Sequence, residues 1–574
     1  MRCSVVLVVW LALATGCSTP APGPGLEVDH VMVHVGSLMV IGPRPGESAQ
    51  AREAAAYIEN TVTAMGGTLE RFPIGAVDLP AITVMGTTYR TAHRAESTDP
   101  NLVVRFGPPG RALLVMAHYD TVAASPGAVD NAAAIGLLLE LAHDLLHAPP
   151  VFPVILAFTA NEEIGLVGAE ALAARIGEDV SIAIALDLVG GSGPLILNGA
   201  SELVGADEMG WLAGAGERAG VTIRAPLAHR VVSRWWPQAE RSDHGPFTRR
   251  GIRAVHLYNR GQDGEWIDLA YHSPRDVLAR VDRTSVDELG RVLVALTRTP
   301  PPEPGGGDGF WLPVLENRIM PRWLLLALEL ALGLTALGSL VALRTSRVRG
   351  GCGLLVGLGC YALATIATLA VERATRGDHP APWLHSPLRF VVAELLVLVG
   401  AFGLLVLVVR RMRAWIGVLR YLAIAALIPF VVGCALLAIG AAEIAWIWLV
   451  PAAVIALAPR LGPARWLAPV AAALPLVLVL APNQLREAAW NGFLPLGLPL
   501  AALIAVFTLP IVGSLAWLVR RRGQAGPLGA FVLPMGCLLS VLAGVVVVSR
   551  AHPACTPADF NQFGLACEVS SGVR

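Results

Sequence analysis

Two apolar runs in this chain end in side chains that bind metals and move protons. Residues 111–117 lead into His118-Tyr119-Asp120, and residues 151–159 lead into Asn161-Glu162-Glu163. Asp130 lies between the two clusters. Further on, Asp187 stands near the end of SIAIALDL (181–188), and His272 sits in the stretch Ala270-Tyr271-His272-Ser273-Pro274-Arg275-Asp276. Singly, each has an ordinary reading: a loop histidine, acids complementing a helix N-terminus, a helix cap. Together they form an ordered set of metal ligands, His–Asp–Glu–Asp–His, each at a strand end or in a loop beside one. Nitrogen and oxygen donors without cysteine suit zinc, and manganese or cobalt less often. His118 and Asp120 are two apart on an extended segment, so both side chains can point the same way. That spacing suits Asp120 to accept the second N–H of a metal-bound imidazole. Glu162 and Glu163 are adjacent and cannot face one metal alike. One can ligate while the other acts as general base on water.

The elements that must position these groups follow from hydrophobic pattern. The runs 111–117 and 151–159 read as buried parallel strands, and Asp130 is expected to open a helix over 131–147. This strand–helix–strand unit places its polar clusters at the carboxyl ends of strands, where open α/β sheets keep their sites. Periodicity predicts a helix over 50–65, stopped by Gly66-Gly67, and strand-like runs at 81–85 and 101–106. A third buried strand at 181–188, a helix at 207–219, a strand at 252–258 and a helix at 284–298 continue the alternation. The expected fold is α/β, with a mixed, mainly parallel sheet flanked by helices.

Composition sets the wider frame. The chain has 574 residues, 55% hydrophobic and 15% charged, with no net charge. Neutrality gives no footing for nucleic-acid binding. No residue is lysine, which excludes P-loop nucleotide hydrolysis, Schiff-base chemistry and Ser–Lys hydrolysis. The eight cysteines lack zinc-finger spacing. Cys352, Cys360, Cys434 and Cys537 fall in apolar runs and read as inert core thiols. Cys555 and Cys567 lie in a polar tail where a disulfide fits an oxidising space.

Residues 1–17 read as a signal peptide, with Ala14-Thr15-Gly16-Cys17 resembling a lipoprotein cleavage box, and 18–27 as a spacer. A globular domain over 28–299 and a linker over 300–321 precede an all-α, multi-pass membrane domain over 322–550. Its eight candidate helices fall at about 323–343, 352–371, 390–409, 421–440, 444–458, 466–482, 493–519 and 529–549. One set of loops holds Arg344, Arg347, Arg349, Arg410, Arg411, Arg413, Arg420, Arg460, Arg465 and Arg520 to Arg522. The other holds only Arg373, Arg376, Arg389 and Arg486. The positive-inside rule makes the first set cytoplasmic and puts the globular domain and the 551–574 tail outside, on a bacterial inner membrane. Glu329, Glu394 and Glu443 fall towards the outer side of their helices, where intramembrane carboxylates are either functional or snorkelling.

The segments HYD, PGAVDNAAA, NEEIGLVGAEAL, ALDLVG and YHSPRD resemble the secreted zinc aminopeptidases of the aminopeptidase Y and bacterial leucyl aminopeptidase type, over residues 28–298. The order of domains is similar to the multi-pass branch that includes the endoplasmic reticulum metallopeptidase. The resemblance implies two zinc ions per chain bridged by Asp130, with His118 and Asp187 completing one and Glu163 and His272 the other. It further implies Glu162 as general base, Asp120 as partner of His118, Tyr271 as a donor to the oxyanion, and peptides with a free N-terminus as substrates. Val129 and Ala133-Ala134 depart from the usual pattern without removing a ligand. Alternatives on the same fold are a glutaminyl cyclase, a carboxypeptidase or a non-catalytic receptor or assembly module. A transporter reading rests on the apolar helices alone.

Overall fold

The computed structural model describes residues 25–84, 87–200, 203–225, 242–259, 271–304, 309–312, 318–343 and 418–480, with Ser514. Contacts divide the chain into two units. One is drawn from Met1–Val77, Ala95–Arg224 and Ser242–Gly306, the other from Asp78–Arg94, Ala225–Arg241 and Gly307–Arg574.

The first unit opens with helices α1 (Val28–Ile41) and α2 (Ala49–Ala64), the latter capped by the Ser48 side chain on the Ala51 N–H. Strand β1 (Leu69–Phe72) follows. Strands β2 (Gly75–Leu79), β3 (Ile82–Val84), β4 (Thr87–Arg90) and β5 (His93–Ser97) form two small sheets, β2 with β5 and β3 with β4, of which β3 and β4 fall in the second unit. The strand expected at 81–85 is β3, so it lies outside the main sheet. Then come β6 (Asn101–Phe106), β7 (Ala112–His118), α3 (Ala133–His147), β8 (Val154–Thr159), α4 (Val167–Ile176), β9 (Val180–Leu186), β10 (Leu195–Ala200), α5 (Ala206–Ala219), α6 (His244–Arg249), β11 (Ala254–Asn259) and α7 (Arg283–Thr297).

Seven strands form the main sheet in the order β1-β6-β8-β7-β9-β11-β10. The inner four, β8, β7, β9 and β11, are parallel; β1, β6 and β10 join antiparallel at the edges. The sheet is therefore mixed with a parallel centre. Strands β7 and β8 are buried at every position, which is why they read as unbroken apolar runs. One face packs Leu114, Met116, Ile155 and Ala157 against Leu172, Ile176 and Phe247 of α4 and α6. Helix α3 is buried along most of its length and lies against β7.

The strand order creates the site. From β7 the chain crosses to β8 on one side; from β9 it moves on to β11 on the other. Successive crossovers of the same hand in opposite directions put α3 and α4 on opposite faces. A crevice opens at such a reversal, beyond the carboxyl ends of β7 and β9. His118 ends β7, and Asp187 follows β9.

One sequence expectation needs correction here. Asp130 does not open a helix at 131. Asp130 and Asn131 have non-helical backbone angles, and α3 begins at Ala133. The two residues form a buried turn between Gly127 and the helix.

In the second unit β12 (Gly309–Leu312) pairs antiparallel with β13 (Arg318–Pro321), a ribbon within the expected linker. It leads into α8 (Arg322–Leu343). Helices α9 (Val418–Ala438), α10 (Ala442–Leu457) and α11 (Leu467–Leu480) follow the next described stretch. Small residues let these helices approach closely: Ala336 meets Ala452 and Ala453, and Ala425 and Ala426 pack with Ala456, Ala468 and Ala472. Among the described residues two helices, Arg322–Val341 and Ala442–Arg460, are long and apolar enough to cross a membrane. Glu329 and Glu443 are buried. Cys434 is exposed on α9 rather than in a core. The runs 352–371, 390–409, 493–519 and 529–549, Glu394, the leader and the tail lie outside the described residues.

Candidate metal centre

The carboxyl ends of β8, β7 and β9 deliver Glu162 and Glu163, His118, and Asp187 to one place. The turn before α3 adds Asp130, and the turn at 271–275 adds His272. Asp130 occupies the middle. Its Oδ1 lies 3.3 Å from His118 Nε2 and its Oδ2 lies 3.2 Å from His272 Nε2. Asp187 Oδ1 is 3.5 Å from His118 Nε2, and Glu163 Oε2 is 3.1 Å from His272 Nε2. The donor atoms of His118, Asp130 and Asp187 thus form one close group, and those of Asp130, Glu163 and His272 a second. Donors of His118, Glu162 and Glu163 form a third.

The proton positions argue for cations in this cluster. His118 Nδ1 is 3.0 Å from the Asp120 carbonyl, which can only accept, so Nδ1 carries a hydrogen. In a neutral ring Nε2 then presents a lone pair to two carboxylates. A proton or a metal ion must lie between them. Burial alone would lower the His118 pKa, but Asp130 and Asp187 outweigh it and raise it well above the usual value. His272 is pushed up to about 10, burial again opposed by Glu163 and Asp130. Among the described residues, His118 Nε2 and Glu163 Oε1 are buried without a hydrogen bond. These donors fit zinc, which takes nitrogen and carboxylate oxygen and can replace both protons.

The second layer of contacts differs in part from expectation. Asp120 was expected to hold His118 by its carboxylate. Its Oδ1 is 3.8 Å from His118 Nδ1, and the backbone carbonyl takes that hydrogen bond instead. The carboxylate accepts the backbone N–H groups of Glu162 and Glu163, each at 3.1 Å, and so fixes the turn that carries both glutamates. Asp276, four residues after His272, plays the same part for Asp130. Its two oxygens accept from the N–H groups of Val129 and Asp130 at 2.8 and 3.1 Å. Asn131 donates to the Leu186 carbonyl at 2.8 Å and ties this turn to the end of β9. Sequence reading quoted Asp276 within YHSPRD but gave it no role, because its partners are backbone groups far along the chain.

Burial pushes the Glu162 carboxyl well above the usual carboxylate range, helped by Glu163, Asp187 and Asp243 and opposed by His118. Asp243 is a further member that sequence reading missed, although it stands in SDHGPF. It is buried, accepts from Thr159 Oγ1 at 2.5 Å, and is raised by burial to about 6. The Tyr271 ring stacks on His272 with centroids 3.7 Å apart. Burial and the surrounding carboxylates push its hydroxyl well above the usual value, so it stays protonated as a donor.

Residues 101–297 match the model of Peptidase family M28. Aminopeptidase YwaD of Bacillus subtilis is 29% identical over 190 residues, which is 32% of this chain and 39% of that protein. A vacuolar membrane protease of Clavispora lusitaniae is 30% identical over 205 residues, 34% of this chain and 18% of that protein. The chain thus spans well under half the length of these relatives. The solved structure of BSAP, a zinc aminopeptidase from Bacillus subtilis, is 16% identical, with a TM-score of 0.39; the match covers 49% of this chain and 95% of that one.

Proposed function

We propose that this chain is a membrane-bound, extracytoplasmic zinc aminopeptidase with a dinuclear centre. The observation that carries the reading is the Asp130 carboxylate facing two imidazoles, with one further carboxylate beside each. His118, Asp130 and Asp187 hold one zinc in this reading, and Asp130, Glu163 and His272 the other. Bound zinc supplies Lewis acidity that polarises the scissile carbonyl and acidifies water. Glu162 takes the proton of the attacking water and returns it to the leaving amine. Its raised carboxyl suits an exchange near neutral pH. Tyr271 donates to the developing oxyanion. The surplus of carboxylates favours a substrate bearing a free, protonated N-terminal amine.

The membrane part of the proposal comprises a signal at 1–17, a spacer at 18–27, a peptidase domain at 28–299, a linker at 300–321, eight spans within 322–550 and an outer tail at 551–574. The Arg-rich loops, the two long apolar helices and the relative named vacuolar membrane protease support it. The resulting site is the outer face of a bacterial inner membrane.

The test uses the full chain, purified in detergent without chelator. Bound metal is counted, and aminoacyl-p-nitroanilides are assayed beside N-blocked versions. The expected result is about two zinc ions per chain and cleavage of free-amine substrates alone. Glu162→Gln should keep the metal and lose about 100- to 10,000-fold in kcat. A single zinc with cyclisation of N-terminal glutamine, or metal binding without hydrolysis, would overturn the aminopeptidase reading.

A further inference from the structure

We infer that the segment Arg44-Pro45-Gly46-Glu47, upstream of the matched residues 101–297, positions both halves of the active site: Arg44 the metal ligands and Gly46-Glu47 the general base. The inference rests on the zinc aminopeptidase reading.

Arg44 is 1% exposed, and the hydrogen bonds of its guanidinium all go to backbone carbonyls. Nε donates to Tyr119 O at 3.0 Å. Nη1 donates to Pro126 O at 2.8 Å, and Nη2 to Gly127 O at 3.3 Å. On its own side Nη1 also reaches Gly42 O at 3.0 Å and Leu38 O at 3.3 Å, anchoring the group to the end of α1. Its backbone binds Thr121 reciprocally: Arg44 N–H donates to Thr121 Oγ1 at 2.8 Å, and Thr121 N–H donates to Arg44 O at 3.1 Å. Every acceptor beyond α1 lies between His118 and Asp130. One planar fork with five N–H groups therefore sets the path of the loop joining the ligand at the end of β7 to the bridging ligand. Among the described residues no carboxylate hydrogen-bonds this buried cation, and although Asp120, Asp276 and Asp130 attract it, burial pulls its pKa down to about 10, so it is costly to keep.

The other end of the segment grips the Asn161-Glu162-Glu163 turn. A Cβ on Gly46 would lie 2.0 Å from Asn161 Oδ1, so only glycine fits against that side chain. Asn161 cannot retreat easily. Its Nδ2 donates to Ser97 Oγ at 2.5 Å and to Glu47 Oε1 at 3.3 Å. Glu47 in turn accepts from Ser97 Oγ and Thr98 Oγ1, both at 2.5 Å, and from Thr98 N–H at 3.0 Å. Its own N–H donates to Asp99 Oδ2 at 2.6 Å. Asn161 has φ of +60°, a left-handed conformation that its surroundings must hold. The next residue is Glu162.

The two ends make separable predictions for the full chain in detergent. Arg44→Lys and Arg44→Gln cannot reach both Tyr119 and Gly127. Each should weaken zinc binding about 10- to 100-fold in a chelator competition and shift the visible band of the cobalt-substituted protein. Gly46→Ala and Glu47→Gln loosen a turn that carries Glu163 as well as Glu162, so kcat should fall up to about 100-fold with KM unchanged, while zinc affinity falls less than in the Arg44 variants. Ser48→Ala is the structural control. It removes the cap of α2, touches neither loop, and should lower the melting temperature with kinetics intact. The inference is overturned if the Arg44 variants bind zinc like the wild type, or if Gly46→Ala and Glu47→Gln behave as Ser48→Ala does. If the wild type binds zinc but hydrolyses nothing, the aminopeptidase reading fails, while the Arg44 affinities and cobalt spectra still decide the metal half.

Discussion

Asp276 and Asp120 do the same work at two corners of the centre: each spreads one carboxylate over two consecutive backbone N–H groups. Such bonds fix a turn more tightly than a neutral acceptor can. Asp276→Asn leaves one oxygen and turns an NH2 group towards the other N–H. Zinc affinity should fall about 10- to 100-fold in a chelator competition, with the fold retained. Glu47 gives a pH prediction. Desolvation is the largest single contribution and raises the carboxyl, but the Ser97 and Thr98 hydroxyls and the Asp99 and Thr98 N–H groups together outweigh it and hold it down from 4.5 to about 2. The unfolded chain takes the proton first as pH falls. The stabilisation is complete above 4.5 and is lost as pH drops towards 2. The melting temperature of Glu47→Gln should therefore lie below that of the wild type at neutral pH, and the gap should close across this window. The clustered His118, Asp130, Glu163, Asp187 and His272 were legible as a candidate set because their types and order form a pattern. Arg44 was not, because its acceptors are carbonyls up to 83 residues away and carbonyls carry no sequence signature. The true partner of His118 was hidden for the same reason: spacing pointed to the Asp120 side chain, and the backbone of Asp120 took the bond.

At the scale of elements, the parallel strands were readable and the edges were not. β7, β8 and β9 are buried on both faces, so their sequences are continuous apolar runs bounded by polar clusters. Strand β1, Leu-Glu-Arg-Phe, buries only Phe72 and offers no such signal. Helix α1 hides its register as well. It buries Val31, Val35 and Leu38, but exposes Val33 and Val40 and buries His34 against Glu140 at 3.1 Å. The strand β7 must be rigid if its last residue is to hold a ligand position. Leu114 lies at its centre, fully buried between β8 and β9. Leu114→Ala removes three carbons and leaves a cavity the sheet cannot close, a loss of about 2–5 kcal/mol. A fall in the melting temperature with little change in KM would place that loss in the scaffold. An unchanged melting temperature would mean the sheet collapses onto the smaller side chain.

For the whole molecule, topology ties the chemistry to a compartment. In the proposed topology the signal read at residues 1–17 and the polar tail with Cys555 and Cys567 both belong to the outer side. The proposed topology accordingly has an even number of spans between residues 322 and 550. The arginines make the same demand independently: Arg344, Arg347 and Arg349 follow the first span, and Arg520, Arg521 and Arg522 precede the last. In the proposed topology both clusters face the cytoplasm, with the 28–299 domain and the tail opposite them. Alkaline phosphatase, active only after export, should be active when fused after Arg574. A fluorescent protein that matures only in the cytoplasm should be bright when fused after Arg349. A bright fusion at Arg574 would make the number of spans odd and put the two ends on opposite sides. Dark fusions at Arg349 with active phosphatase there would reverse the first span and place the peptidase domain in the cytoplasm, where the predicted signal would have no purpose.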